Sequence, residues 1–243
     1  MSNTINWGKI HGLSYSPETN LTGTAAAPSF SNTKSILLDG VDDFVTLASR
    51  TQNFTDFSLS FWCRSGGGFN RTVVGSSNTS QGGILTVITQ RGGFIDYYDG
   101  TSGFTKLSGD ISDGNWHHIL ITYDSTANTL KGYTDSSLSV TKTGVNPIAT
   151  TNAHSFDRIG SYAGANYYNS SLDEIAVFSS VLSASDVSTI YGTGIPTSLA
   201  SLNPVHWWRC GDGDTSPTLT DNGSGGNNGT MTNFTTFSTD VPT

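Results

Sequence analysis

Between Phe57 and Arg64 apolar and polar side chains alternate without a break, which puts Phe57, Leu59, Phe61 and Cys63 on one face and Ser58, Ser60, Trp62 and Arg64 on the other. A period of two is the signature of a β-strand, and one face must be core. In Trp116–Tyr123 the set His117, Ile119, Ile121 and Tyr123 and the set Trp116, His118, Leu120 and Thr122 are both largely apolar. That predicts a central strand covered on both sides. Shorter strand signals lie at residues 36–38, 44–47, 72–74, 83–89, 93–98, 104–107, 129–134, 138–141, 156–160 and 172–178, joined by Gly, Asn, Asp and Ser turns such as Asp39-Gly40. Many short strands at this spacing predict an all-β, two-sheet antiparallel sandwich. One helix interrupts it, over residues 184–191. Ser183 and Asp186 form a capping-box start, Val187, Ile190 and Tyr191 follow at helical spacing, and Gly192 stops it.

Composition narrows the class of protein. Only 12% of residues are charged while glycine numbers 28, a mix suited to turn-rich β structure, and 35% hydrophobic residues suffice for a core, which argues against general disorder. A net charge of -8 with 11 Lys+Arg leaves no basic stripe for phosphates, which argues against nucleic acid and against anionic lipid surfaces. No apolar run approaches the ~20 residues that span a bilayer. The amino end, Met1–Trp7, shows no basic segment followed by an apolar one, so a secretory signal is not expected. Cys63 and Cys210 are expected to be buried free thiols.

Four segments in order carry a family resemblance: Leu38–Val45, Phe57–Trp62, Gly114–Ile119 running on to Asp124, and Leu172–Phe178 leading to Ser183. Together they resemble the laminin-G-like jelly rolls of the concanavalin-A-like lectin/glucanase superfamily. The tail, His206-Trp207-Trp208-Arg209 followed by Asp221–Asn233, looks like the stretch that precedes Leu38–Asp43 in that family, yet here it comes last. It is either a permuted end of the same sandwich or the opening of a truncated repeat. A lone pair of strands is marginal in water, which favours docking. The expected organisation is one domain over residues 1–243: a lead-in at 1–34, the main sandwich at 35–191, and docking strands at 204–243. The tail, with its Thr239-Asp240-Val241-Pro242 ending, is also similar in style to virion proteins of tailed phages, marine ones in particular. That implies synthesis in a host cytoplasm, release at lysis, and other virion proteins, host-surface polysaccharide or further copies of the chain as partners.

Glycosidases on this fold need two carboxylates across the scissile bond. The nearest pair, Asp173-Glu174, is adjacent in a strand and is expected to point to opposite faces. With no Gly-x-Ser-x-Gly elbow either, an enzyme is disfavoured, and His117 and His118 are expected to be structural. The resemblance implies a structural Ca²⁺, for which Asp39, Asp42 and Asp43 could supply oxygens, with Asp173 arriving from a late strand. The alternative is that these aspartates only make Asx turns. For a glycan, aromatic rings on loops are the feature to follow: Tyr97, Tyr98, Tyr162, Asn166, Tyr167, Tyr168 and, more weakly, Trp62. Adjacent tyrosines cannot both face a core, and their alternative use is a subunit interface. The expected activity is therefore that of a non-enzymatic virion appendage with a lectin-like fold. The alternatives are a carbohydrate-binding module of a secreted bacterial protein and, less favoured, a glucanase-branch hydrolase.

Overall fold

The computed structural model describes residues 30–65, 68–79, 85, 88–98, 103–145 and 154–243, and within them the alternating segments become strands of two antiparallel sheets. In chain order these are β1 (Ile36–Asp39), β2 (Phe44–Leu47), β3 (Phe57–Arg64), β4 (Arg71–Gly75), β5 (Ile88–Arg91), β6 (Phe94–Tyr98), β7 (Phe104–Lys106), β8 (Trp116–Asp124), β9 (Thr129–Thr134), β10 (Ser137–Thr143), β11 (Arg158–Ile159), β12 (Asn169–Phe178), β13 (His206–Trp208), β14 (Thr218–Leu219) and β15 (Gly229–Thr232). The first sheet runs β1-β12-β3-β8-β9-β10, with β13 also paired to β12, and the second runs β14-β15-β2-β11-β4-β5-β6-β7. The expected strand at 83–89 appears only from Ile88, because 83, 84, 86 and 87 lie outside the described residues, and that at 156–160 shortens to β11. The two sheets bear out the all-β sandwich.

The core lies between the sheets. Phe57, Leu59, Phe61 and Cys63 of β3 and Ile119, Ile121 and Tyr123 of β8 meet Val45 and Leu47 of β2 and Ile95 and Tyr97 of β6, all buried. Each large side chain sequestered here stabilises the fold by about 1.5–3 kcal/mol. The opposite face of β3 is buried too, so one core face was an underestimate. Helix α1 (Ala184–Tyr191) lies across it, and Leu120, Phe178, Leu182, Val187, Ile190, Leu199 and Trp207 form a second apolar cluster. The Ser183–Asp186 capping box is formed in both directions. Beneath the helix, Ser60 Oγ and His118 Nε2 are 2.8 Å apart, and burial pushes the His118 imidazole down to about 4, so it is neutral there. Cys63 and Cys210 are free and buried.

The C-terminal segment contributes to both sheets. β13 pairs with β12, placing Trp208 opposite Ile175, while β15 pairs with β2, placing Met231 opposite Val45. Trp208 is fully buried and donates its indole N–H to the Asn227 carbonyl at 2.9 Å. The described end of the lead-in packs on this segment: Phe30 stacks on Trp207 at 6.3 Å, and the Thr33 and Lys34 amides donate to Asp212. The acidic stretch around Asp212 and Asp214 is thus spent on backbone donors, since Asp214 takes the Gly211 and Thr220 amides.

Two expectations follow from this packing. Deleting residues 204–243 strips β13 from the first sheet and β14 and β15 from the second, and the remainder should be insoluble or lack a cooperative melt by circular dichroism. A soluble truncation melting with the full chain would contradict this, whereas Trp208→Ala should cost roughly 3–5 kcal/mol in denaturant titration. The second concerns His117, whose ring nitrogens lie 2.7 Å from Asp135 and 2.9 Å from Asp113. The hydrogen bond to Asp135, then that to Asp113, raises the imidazole from 6.5 to about 9. The folded value exceeds the unfolded one, so this stabilisation is complete below pH 6.5 and is lost as pH rises through 9. Replacing His117 by Gln should cost about 1–2 kcal/mol at pH 6 and little at pH 10, read from urea midpoints at the two pH values.

Candidate functional site

The parity of β6 decides which tyrosine can meet a ligand. Ile95 and Tyr97 point into the core, so Phe94, Asp96 and Tyr98 stand on the outer face of the second sheet. In β5, Ile88 faces the core and Thr89 stands outward, directly opposite Thr72 of β4 and Asp96 of β6. Tyr98 pairs with Phe104 of β7, and their rings are 5.1 Å apart at a 40° tilt. Over this row folds the loop after β11. A short bridge between Tyr162 and Ala165 turns it through Ala163 and Gly164, and the Asn166 carbonyl accepts the Thr72 amide at 2.8 Å. Gly75 permits the approach: a Cβ there would stand 2.4 Å from the Ser161 carbonyl oxygen.

The result is a pocket of about 420 Å³ lined by Asn70, Thr72, Thr79, Thr89, Tyr98, Phe104, Tyr162 and Asn166. Asn70 and Asn166 both hold a left-handed backbone, each with φ of 54°, which asparagine tolerates better than most residues. Among the described residues the lining contains no carboxylate or ammonium. The charges on this face are engaged beside it. The Arg91 guanidinium lies 3.9 Å from the Phe104 centroid and 4.0 Å from Asp96, and the Lys106 ammonium lies 3.3 Å from the centre of the Phe94 ring. Burial raises the Asp96 carboxyl, partly countered by Arg91 and Lys106, and burial together with Tyr98 raises the Tyr162 phenol.

Of the residues singled out in the sequence, Tyr98, Tyr162 and Asn166 come together here. The other four do not. Tyr97 is a core residue because it has the opposite parity to Tyr98, and Tyr168 is fully buried, its hydroxyl donating to the Arg64 carbonyl at 2.8 Å. Tyr167 packs on Phe44 at 6.1 Å and donates to the Gly164 carbonyl, bracing the loop rather than lining the pocket. Trp62 is 2% exposed and stacked on Tyr191 of α1, which removes it from any ligand. Sequence reasoning passed over Phe104, Thr72 and Thr89. No local signal marked them, because only the pairing of β4, β5 and β7 with their neighbours puts them on the same face as Tyr98.

Asp39, Asp42 and Asp43 each present an oxygen within 4.8 Å of the others. Part of their capacity is already spent: Asp39 accepts the Val41 and Asp42 amides and Asp43 accepts the Asp39 amide. The Val41 amide leads the lowering of the Asp39 carboxyl, whereas burial raises Asp43. Three carboxylates fit part of a calcium shell, whose six to eight oxygens would need carbonyls and water as well. Asp173 cannot join them. Asp39 pairs with Asn169, four residues along β12, or roughly 13 Å from Asp173 at strand spacing. Asp173 is instead buried, accepting from Asn32 at 2.8 Å.

The adjacent pair Asp173-Glu174 also departs from simple alternation. Glu174 has φ of 46° and the pairing of β12 with β3 shifts between Asp173 and Ala176. Both carboxylates are buried, Glu174 receiving hydrogen bonds from the Trp207 indole and Arg209. Burial pushes Glu174 up to about 7 and Asp173 well above its ordinary value.

Similarity to known proteins agrees with this fold. A candidate carbohydrate-binding protein from Bacteroides ovatus superposes with a TM-score of 0.64 at 15% identity, covering 88% of this chain and 62% of its own, so this chain spans under two thirds of that protein. Domain 4 of AbnA, an extracellular arabinanase from Geobacillus stearothermophilus solved with arabinotriose, gives 0.50 at 17% identity, covering 64% and 75%. The heptameric SAP-like pentraxin of Limulus polyphemus gives 0.50 at 13%, covering 65% and 82%. At such identities the likeness speaks for fold alone. No curated protein matches the sequence. Residues 39–188, more than half of the chain, match the laminin-G-type family of the concanavalin A-like lectin/glucanases superfamily, and the chain belongs to that family.

Proposed function

We propose that this protein binds carbohydrate without cleaving it, through the pocket on the outer face of β4–β7. The observation that carries this is the lining itself: rings of Tyr98, Phe104 and Tyr162 beside the amides of Asn70 and Asn166 and threonine hydroxyls. Sugar C–H faces pack on aromatic rings while their hydroxyls exchange hydrogen bonds with amides and hydroxyls, and a concave site mixing the two is the usual form of a small-ligand site. Solved structures of similar fold support the reading, among them the candidate carbohydrate-binding protein and the arabinotriose-bound domain.

As its biological setting we favour display on a tailed-phage particle, with host-surface glycan as the ligand and other virion proteins as neighbours. The support is the phage-like style of the tail around Trp207-Trp208-Arg209 and Thr239–Pro242. Particles banded in a density gradient should carry the chain when probed by mass spectrometry; its recovery only outside them would favour a module of a secreted bacterial protein.

For binding itself, a glycan array followed by titration calorimetry is the direct measurement. Tyr98→Ala should weaken the tightest hit about tenfold or more, the scale of losing an aromatic anchor, while leaving the melting temperature within a few degrees. An array without hits would overturn the carbohydrate reading. For the Asp39–Asp43 loop we propose a structural Ca²⁺ held by Asp39, Asp42 and Asp43 without Asp173. Calcium titrated calorimetrically should bind the wild type, with affinity abolished in Asp43→Asn and kept in Asp173→Asn. Absence of heat in the wild type, with no effect of EDTA on melting, would leave these aspartates as Asx-turn residues.

A further inference from the structure

The pocket floor contains two polar groups that the protein itself leaves unused. Thr72 and Thr89 face each other across β4 and β5 and are only 1% and 2% exposed. Neither Oγ1 has a hydrogen-bond partner. A buried hydroxyl without a partner costs free energy comparable to a lost hydrogen bond, and what sets these two apart from the other unpartnered buried groups is that they lie side by side in a pocket lining. Both line the cavity together with Tyr98 and Tyr162.

Charge decides what kind of group can meet them. Among the described residues the lining offers hydroxyls, amides and rings, and the chain carries a net charge of -8. The cations described on this sheet face are engaged by neighbours, Arg91 over Phe104 and next to Asp96, Lys106 over Phe94, and Arg158 over Phe44 and bonded to the Asp157 carbonyl. An anionic ligand would be desolvated among described lining groups that carry no charge of their own, against the field of an acidic protein. Resting on the carbohydrate-binding reading of the same pocket, we infer that its occupant is an uncharged sugar unit whose neighbouring hydroxyls are met by the Thr72–Thr89 pair. Opposed residues in antiparallel strands hold their Cβ atoms about 4.5–5.5 Å apart, which lets two hydroxyls reach adjacent hydroxyls of one ring. Each threonine hydroxyl can donate to one sugar oxygen or accept from it, so a ligand lacking those hydroxyls leaves the floor unsatisfied again.

The test uses the full chain and an array of neutral oligosaccharides, arabinotriose among them, beside matched oligosaccharides carrying a uronic or sialic acid unit. The tightest neutral hit is then titrated into wild type, Thr72→Val, Thr89→Val, the double variant and Thr72→Ser. The valines keep the shape and remove only unpartnered hydroxyls, so the melting temperature should stay level or rise. Affinity should fall about tenfold in the double variant and be largely kept in Thr72→Ser. Neutral hits whose affinity the valines leave unchanged would overturn the role of the threonine pair while the carbohydrate reading stands. Hits confined to acidic glycans would overturn the uncharged class while the carbohydrate reading again stands. No hits of either kind would overturn both.

Discussion

Strand β12 is the constraint on which the rest of the sandwich depends. From Ser171 to Phe178 it is buried along its whole length, and it pairs with β3 on one edge while β1 and β13 share the other. The two partners do not meet: β1 covers the strand as far as Leu172, and β13 begins its pairing at Ile175. Asp173 and Glu174 sit in the gap. There the Asp173 carboxylate takes the Glu174 amide, and Glu174 binds Trp207 and Arg209, which in turn stacks near Phe30. A polar break in an otherwise apolar strand thus becomes the joint where the lead-in and the C-terminal segment are tied to the sandwich. Its carboxyls are raised by burial because this tie is made in the interior, where ionisation is expensive.

That arrangement also explains why the site lies where it does. The outer face of the first sheet, across β12, β3 and β8, is roofed by α1 and by Phe30, Leu199, Leu202 and Trp207. An aromatic residue on that side, such as Trp62, becomes packing. Among the described residues, what lies over the outer face of the second sheet at β4–β7 is the tight loop held by the Tyr162–Ala165 bridge rather than a helix. Tyr98 and Phe104 therefore remain reachable, with Phe104 37% exposed.

Much of the fold was legible locally. The strict alternation of Phe57–Arg64, the doubly apolar Trp116–Tyr123 and the capping box at Ser183 each encode their element within eight or nine residues, and each forms where it was read. The second buried face of β3 was not legible, because Ser58 and Ser60 look like surface. They tolerate burial only through partners far along the chain, Ser58 with Ser180 and Leu182, Ser60 with His118. Asp173 misled for the same reason: its distance from Asp39 is set by register between β1 and β12, which no local pattern records. Half of the tyrosine problem was soluble by parity, since Ile95 fixes Tyr97 inward and Tyr98 outward. The rest was not, because Thr72 and Thr89 read as ordinary strand threonines until their pairing is known.

The chemistry of the pocket separates holding a sugar from cutting one. Hydrolysis with this fold needs one carboxyl group to protonate the leaving oxygen and another on the opposite side of the bond, several ångströms away. Among the described residues the pocket lining supplies neither. Asp96, a described acid on the same sheet face, pairs with Thr89 and has Arg91 and Lys106 near it, and Asp173 and Glu174 are committed to the joint in β12. What remains at the surface is a set of groups that match a sugar's rings and hydroxyls in its ground state. On the reading proposed for this pocket, such a set gives affinity and orientation, whereas a hydrolase of the same architecture also needs groups that stabilise an oxocarbenium-like transition state.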